Sequence, residues 1–153
     1  MDNNNYNSLE INADDFTFSF SDDVSIGTMQ KLQSALSAGG SELKIYAANV
    51  LIGNIPARKV SENIGVQFNF CGFHAKPVTF KDSKRKGVYT IMFGRENNGN
   101  PCAYSSSSDK VYEAILKILY IYGDATNWNS GIDVKIRMNV LDGDNKAYSL
   151  ELV

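Results

Sequence analysis

The chain has 153 residues, of which 43% are hydrophobic, and a formal net charge of −2. This size fits one domain with a real core, and no segment is long and apolar enough to span a membrane. The small net charge argues only weakly against a nucleic-acid binder, because a local basic face can outweigh it. Two cysteines are too few for a disulfide scaffold. Since the polar N-terminus lacks the regions of a signal peptide, we expect a cytosolic protein.

The residue patterns in the first part of the chain predict a tail, a strand and a helix. Residues 1–8 are rich in asparagine without periodicity, which is typical of a disordered tail, and residues 9–153 then form one domain. Aromatic and hydroxyl residues alternate from Phe16 to Phe20, as in a half-buried strand. Apolar residues at helical spacing predict a helix over residues 25–38, which two glycines end.

From residue 41 onward the pattern is rich in predicted strands. Alternating or short apolar runs predict strands at residues 43–53, 65–70, 78–80, 88–93, 103–104, 132–138 and 148–152. A turn over residues 142–145 joins the last two strands into a hairpin. A basic run over residues 81–87 joins two of the earlier ones.

The best helix of the sequence precedes that last hairpin. Apolar residues recur at helical spacing after four serines, at Val111, Ile115, Ile118, Leu119 and Tyr122. Any of the last three serines could cap its start, and Gly123 is a candidate for its end. We predict a mainly β fold with one or two helices: a small antiparallel β-barrel of oligonucleotide-binding type, with a helix before the final hairpin.

The most informative predicted surface lies between residues 76 and 95. It sets six cations against one acid, Asp82, and interleaves aromatic rings; the cations are Lys76, Lys81, Lys84, Arg85, Lys86 and Arg95. Cations that follow a phosphate backbone, beside rings on which bases stack, are typical of proteins that bind single-stranded nucleic acid. The alternative is a solvated hairpin tip with core aromatics behind it, because alternation turns about half of these rings inward.

The sequence lacks the full residue sets of a metal site, a hydrolase active site or a phosphate-binding loop. Cys71 and His74 have a metal-like spacing, but only Cys102 could add a third ligand of that kind, whereas structural zinc takes four. Residues 142–145 resemble a calcium loop without its later ligands. The single histidine has no nucleophile and base context, and no phosphate-binding loop is present. We therefore expect no enzyme activity, no metal and no cofactor.

Residues 75–153 resemble the C-terminal half of small single-stranded DNA-binding proteins encoded by protein-primed Bacillus phages. In that family a strand ending in Tyr-x-x-x-Ser leads into a helix of the form Val-Tyr-x-x-Leu, and a two-stranded β ending closes the domain. The matching positions here are Tyr104, Ser108, Val111, Tyr112 and Leu116. The resemblance implies an oligonucleotide-binding-like fold that coats displaced strands during phage DNA replication, in the host cytoplasm.

The basic loop and the resemblance together predict a non-catalytic protein that binds single-stranded DNA. Three aromatic residues are the expected stacking rings: Phe80, Tyr89 and Tyr104. The expected phosphate contacts are the cations Lys76, Lys81, Lys84, Arg85, Lys86, Lys135 and Arg137. Self-association and contacts with replication proteins are compatible with this function. The competing hypothesis is a phage structural or host-interaction protein whose β-barrel binds another protein.

Overall fold

The computed structural model describes residues 9–11, 40–80, 86–123, 128, 130–140, 143 and 146–153. The strands are β1 (Leu9–Ile11), β2 (Arg58–Lys59), β3 (Gln67–Phe80), β4 (Lys86–Arg95), β5 (Pro101–Ser106), β6 (Ile132–Val140) and β7 (Lys146–Leu152). The helices are α1 (Gly40–Ile52), a short 3-10 helix (Val60–Glu62) and α2 (Asp109–Tyr122). The predicted tail over residues 1–8 and the predicted helix over residues 25–38 lie outside the described residues.

The described strands form one curled sheet. Six of them follow the order β2-β5-β4-β3-β6-β7, and β1 pairs with β3 beside this path. The pairs β1–β3 and β2–β5 are parallel and the others antiparallel, so the sheet is mixed rather than purely antiparallel as predicted. The curled sheet forms a half-barrel. This confirms the mainly β class and is consistent with a small oligonucleotide-binding-like barrel.

The long β3–β4 hairpin is the centre of this sheet, and a bulge divides it. Pairing shifts by one residue between Phe70 and Gly72. Even-numbered side chains of β3 therefore lie on one face of the sheet before the bulge and on the opposite face after it. Gly94 lies opposite the bulge, where an added Cβ would stand 1.9 Å from the carbonyl oxygen of Asn69. Only glycine permits this close approach.

Helix α1 covers one face of the sheet, in a segment that was predicted as a strand. That prediction was wrong. Leu43, Ala47 and Val50 are buried at helical spacing, in a cluster with residues of β3, β4 and β5. Ile45, which suggested alternation, is 64% exposed. The sequence Leu-Lys-Ile-Tyr-Ala fits both the two-residue period of a strand and the 3.6-residue period of a helix, and burial against the sheet favours the helix.

Helix α2, whose presence was predicted, covers the other face. Ser108 caps it, because its hydroxyl oxygen accepts a hydrogen bond from the Lys110 backbone N–H at 3.2 Å. At the other end the N–H of Gly123 donates to the carbonyl of Leu119 at 2.8 Å. Val111, Ile115 and Ile118 are buried against residues of β3 to β6. None of the helices in the described ranges is long and apolar enough to cross a membrane.

Candidate nucleic-acid interface

The predicted basic tip lies at one end of the central hairpin. Lys81, Lys84 and Arg85 fall outside the described residues, between the end of β3 and the start of β4. Phe80 is the last residue of β3, and Lys86 is the first of β4, opposite Thr79. The chain that joins these two strands therefore carries the basic run.

Two predicted site residues from the same hairpin are buried. Lys76 and Tyr89 pair across β3 and β4 and are 3% and 2% exposed. Tyr89 belongs to the cluster under α1, together with Ile91 and Phe93. The predictions that Tyr89 is a stacking ring and that Lys76 contacts phosphate are therefore corrected, because burial leaves neither side chain accessible to DNA.

His74 lies beside Lys76 in this interior. Its side chain is 1% exposed, and burial lowers the pKa of its imidazole from 6.5 to about 4, with a smaller contribution from the Lys76 charge. The imidazole is therefore neutral at pH 7. Among the described residues, no three His, Cys, Asp or Glu side chains form a group that could hold a metal ion.

Tyr104 is buried on the opposite face of the sheet, so the prediction of an open ring is corrected here as well. Its ring packs on Phe68 with centroids 4.8 Å apart, and its side chain is fully buried. Arg58 donates a hydrogen bond to the Tyr104 hydroxyl at 3.3 Å and also pairs with Glu96. Burial raises the pKa of the Tyr104 hydroxyl, and the hydrogen bond from Arg58 opposes this effect. This tyrosine anchors β2 to β5.

Lys135 and Arg137 lie on the outer side of β6, away from the buried Val134 and Ile136. Glu151 of β7 pairs directly with Lys135 in the ladder, and its carboxylate accepts a hydrogen bond from Arg137 at 3.0 Å. The described site residues are therefore spread over both faces of the sheet. They do not converge on one groove.

Two cavities on the α2 side bring together cations that the sequence analysis did not include among the site residues. The first has a volume of about 510 Å³, lies between α2 and β7, and includes Lys110, Lys117 and Tyr122. The second, of about 430 Å³, lies where β2, β5, α2 and β7 meet and includes Lys59, Lys110, Lys146 and Tyr148.

The two cavities share Lys110 and together hold four lysines against two acids, Asp109 and Glu113. Lys110 forms an exposed ion pair with Glu113 at 3.1 Å, of a kind that contributes a few tenths of a kcal/mol. One sequence signal points to this surface. Lys110 and Lys117 are seven residues apart, which places them on the same side of a helix two turns apart.

Comparison with protein-family models, with curated proteins and with solved structures gives no match. The resemblance to phage single-stranded DNA-binding proteins therefore stays a prediction.

Proposed function

We propose that this protein is a non-catalytic single-stranded DNA-binding protein that coats and protects DNA during phage replication or recombination. The observation that carries the proposal is the pair of adjoining cavities on the α2 side of the half-barrel, with four lysines and two tyrosines. Cationic grooves beside aromatic rings suit a flexible polyanion whose bases are exposed. The phage setting rests on the sequence resemblance.

The basic tip of the central hairpin adds a second source of positive charge. Residues 81–86 carry four cations and one acid, in a chain whose formal net charge is −2. Because cations and aromatic rings bind the phosphates and base faces that every sequence shares, we expect little sequence selectivity and a preference for single strands, whose base faces are exposed.

The test is a titration of labelled oligo-dT and of a matched duplex at several salt concentrations. Single-stranded affinity should exceed duplex affinity and fall with salt, with a slope that reflects a few phosphates. Replacing Lys84, Arg85 and Lys86 together with alanine should weaken binding and flatten that slope, while thermal melting stays unchanged. Equal or tighter binding to the duplex contradicts the proposal.

A second candidate, binding to another protein, is favoured by a different observation. Strand β7 lies at the edge of the described sheet, where its own Leu152 is 42% exposed and Ile121 of the adjoining α2 is 71% exposed. An edge strand next to apolar side chains is a surface on which another chain can add a strand. Retention on single-stranded DNA resin at low salt separates the candidates, since a protein-binding module flows through.

A further inference from the structure

The groove between α2 and β7 is lined by both apolar and cationic side chains. The aliphatic ones come from both elements, namely Ala114, Ile118, Ile121, Ala147, Leu150 and Leu152. Lys110, Lys117 and Tyr122 also line it. Its volume of about 510 Å³ lies within the range of pockets that enclose small ligands, roughly 300–1,000 Å³.

This composition matches one nucleotide better than it matches a peptide. A nucleobase is flat and apolar on its faces, and the phosphate beside it needs a cation. Tyr122 is 49% exposed, so about half of the residue is accessible to a ligand. Lys117 is exposed and forms no ion pair with another residue of the described ranges. Its charge is therefore available for a phosphate.

The second cavity again has a tyrosine beside lysines, with serines in place of most of the aliphatic side chains. Tyr148 lines it together with Lys59, Lys110 and Lys146. Because Lys110 borders both cavities, a strand that occupies one can continue into the other past a shared cation. A chain of alternating bases and phosphates can use a tyrosine and a lysine in each cavity, whereas an apolar peptide segment does not need a lysine between its side-chain pockets.

We infer that the groove between α2 and β7 is a nucleotide-binding subsite. A base of single-stranded nucleic acid stacks on Tyr122, Lys117 contacts its phosphate, and the strand passes Lys110 toward the cavity at Tyr148. This inference deepens the proposed function and rests on it. It places the stacking ring on α2, whereas the residues expected from the sequence, Phe80, Tyr89 and Tyr104, belong to β3, β4 and β5.

The experiment compares paired variants in oligo-dT titrations at low salt. Tyr122→Ala should weaken binding at least about fivefold, and Tyr122→Phe should bind as the parent does, because a stacking face needs no hydroxyl. Tyr120→Ala is the matched control, since Tyr120 is 88% exposed and lines neither cavity. Lys117→Glu should weaken binding and reduce the salt slope by about one. Lys44→Glu, on the exposed side of α1, is its charge-matched control.

The outcomes separate this inference from the proposed function. If the parent protein does not bind oligo-dT, both fail. If the parent binds but Tyr122→Ala and Lys117→Glu behave like their controls, the inference fails while the function stands. Thermal melting is measured for every variant, and Lys117→Glu, an exposed change, tests the groove even if Tyr122→Ala unfolds. If oligo-dT affinity is unchanged and these variants alter self-association instead, the groove is a protein contact and the inference is overturned.

Discussion

Tyr89 lies directly opposite Lys76 in the β3–β4 hairpin, and both side chains are buried. Tyr89, Ile91 and Phe93 share one face of β4, which belongs to the cluster under α1. The bulge between Phe70 and Gly72 shifts the register and so brings Lys76 to that face. The pair is therefore part of the interior of the domain rather than of a DNA-binding surface.

Replacing Tyr89 with alanine should destabilise the protein and leave the affinity of folded molecules unchanged. Removal of a buried aromatic ring typically costs about 3–5 kcal/mol. Urea unfolding measures this loss, and oligo-dT titration of the folded fraction measures affinity. Tyr120→Ala is the stability control, because substitution of an exposed residue stays within about 0.5 kcal/mol. A Tyr89→Ala protein of normal stability that no longer binds DNA would return the stacking site to β4.

Helix α2 should behave as a structural element on its buried side. Ile115 is fully buried, and Ile115→Ala should cost roughly 2–5 kcal/mol in the free energy of unfolding. Leu116 is the neighbouring control, since it is 44% exposed and Leu116→Ala should cost much less. Denaturant unfolding of both variants measures the difference. Equal losses would show that α2 is not packed through Ile115.

Much of the fold could be predicted because local signals agreed with tertiary burial. The cap at Ser108, the apolar stripe of α2 and the glycine at 123 all specify the same helix, and the structure has it. The strands of the last hairpin follow a clear alternation and pair as predicted. At α1 the sequence fits the period of a strand as well as that of a helix. Packing of α1 against the sheet then determines that the segment is helical.

The candidate site could be predicted less well, for a physical reason. Alternation tells which residues of a strand share a face, but it does not tell which face a second layer covers. Tyr89 and Tyr104 therefore looked available, although helices cover both faces of the sheet. The cavities at Lys110 arise because the curled sheet brings Lys59 and Lys146 to the start of α2, a long-range effect that no local pattern records.

The two cysteine thiols should be unreactive in the folded protein. Cys71 and Cys102 are 2% and 0% exposed. Burial raises the pKa of Cys102 to about 12, with a smaller contribution from the Glu96 charge, and burial also raises the pKa of Cys71. Because the thiolate is the reactive form, a disulfide reagent at pH 8 should label neither thiol in buffer and both in urea. Rapid labelling of either thiol in buffer would contradict this burial.

The last prediction concerns the pH dependence of stability at His74. Its pKa is about 4 in the folded protein and about 6.5 in the unfolded chain, so the unfolded chain takes up the proton first. The contribution of His74 is therefore fully present above pH 6.5 and is lost as the pH falls toward 4. A shift of this size corresponds to about 3 kcal/mol. Urea unfolding between pH 7.5 and 4 measures the loss.

His74→Gln supplies the control, because carboxylates also titrate toward the acid end of this range. The substitution removes the imidazole and keeps a neutral polar side chain, so the variant should be less stable at pH 7.5 but should lose less stability on acidification. The two pH profiles should diverge between pH 6.5 and 4, since only the parent has an unfolded chain that gains an imidazole proton there while the folded protein does not. Parallel profiles would show that His74 titrates at its ordinary value and that the interior beside Lys76 is accessible to water.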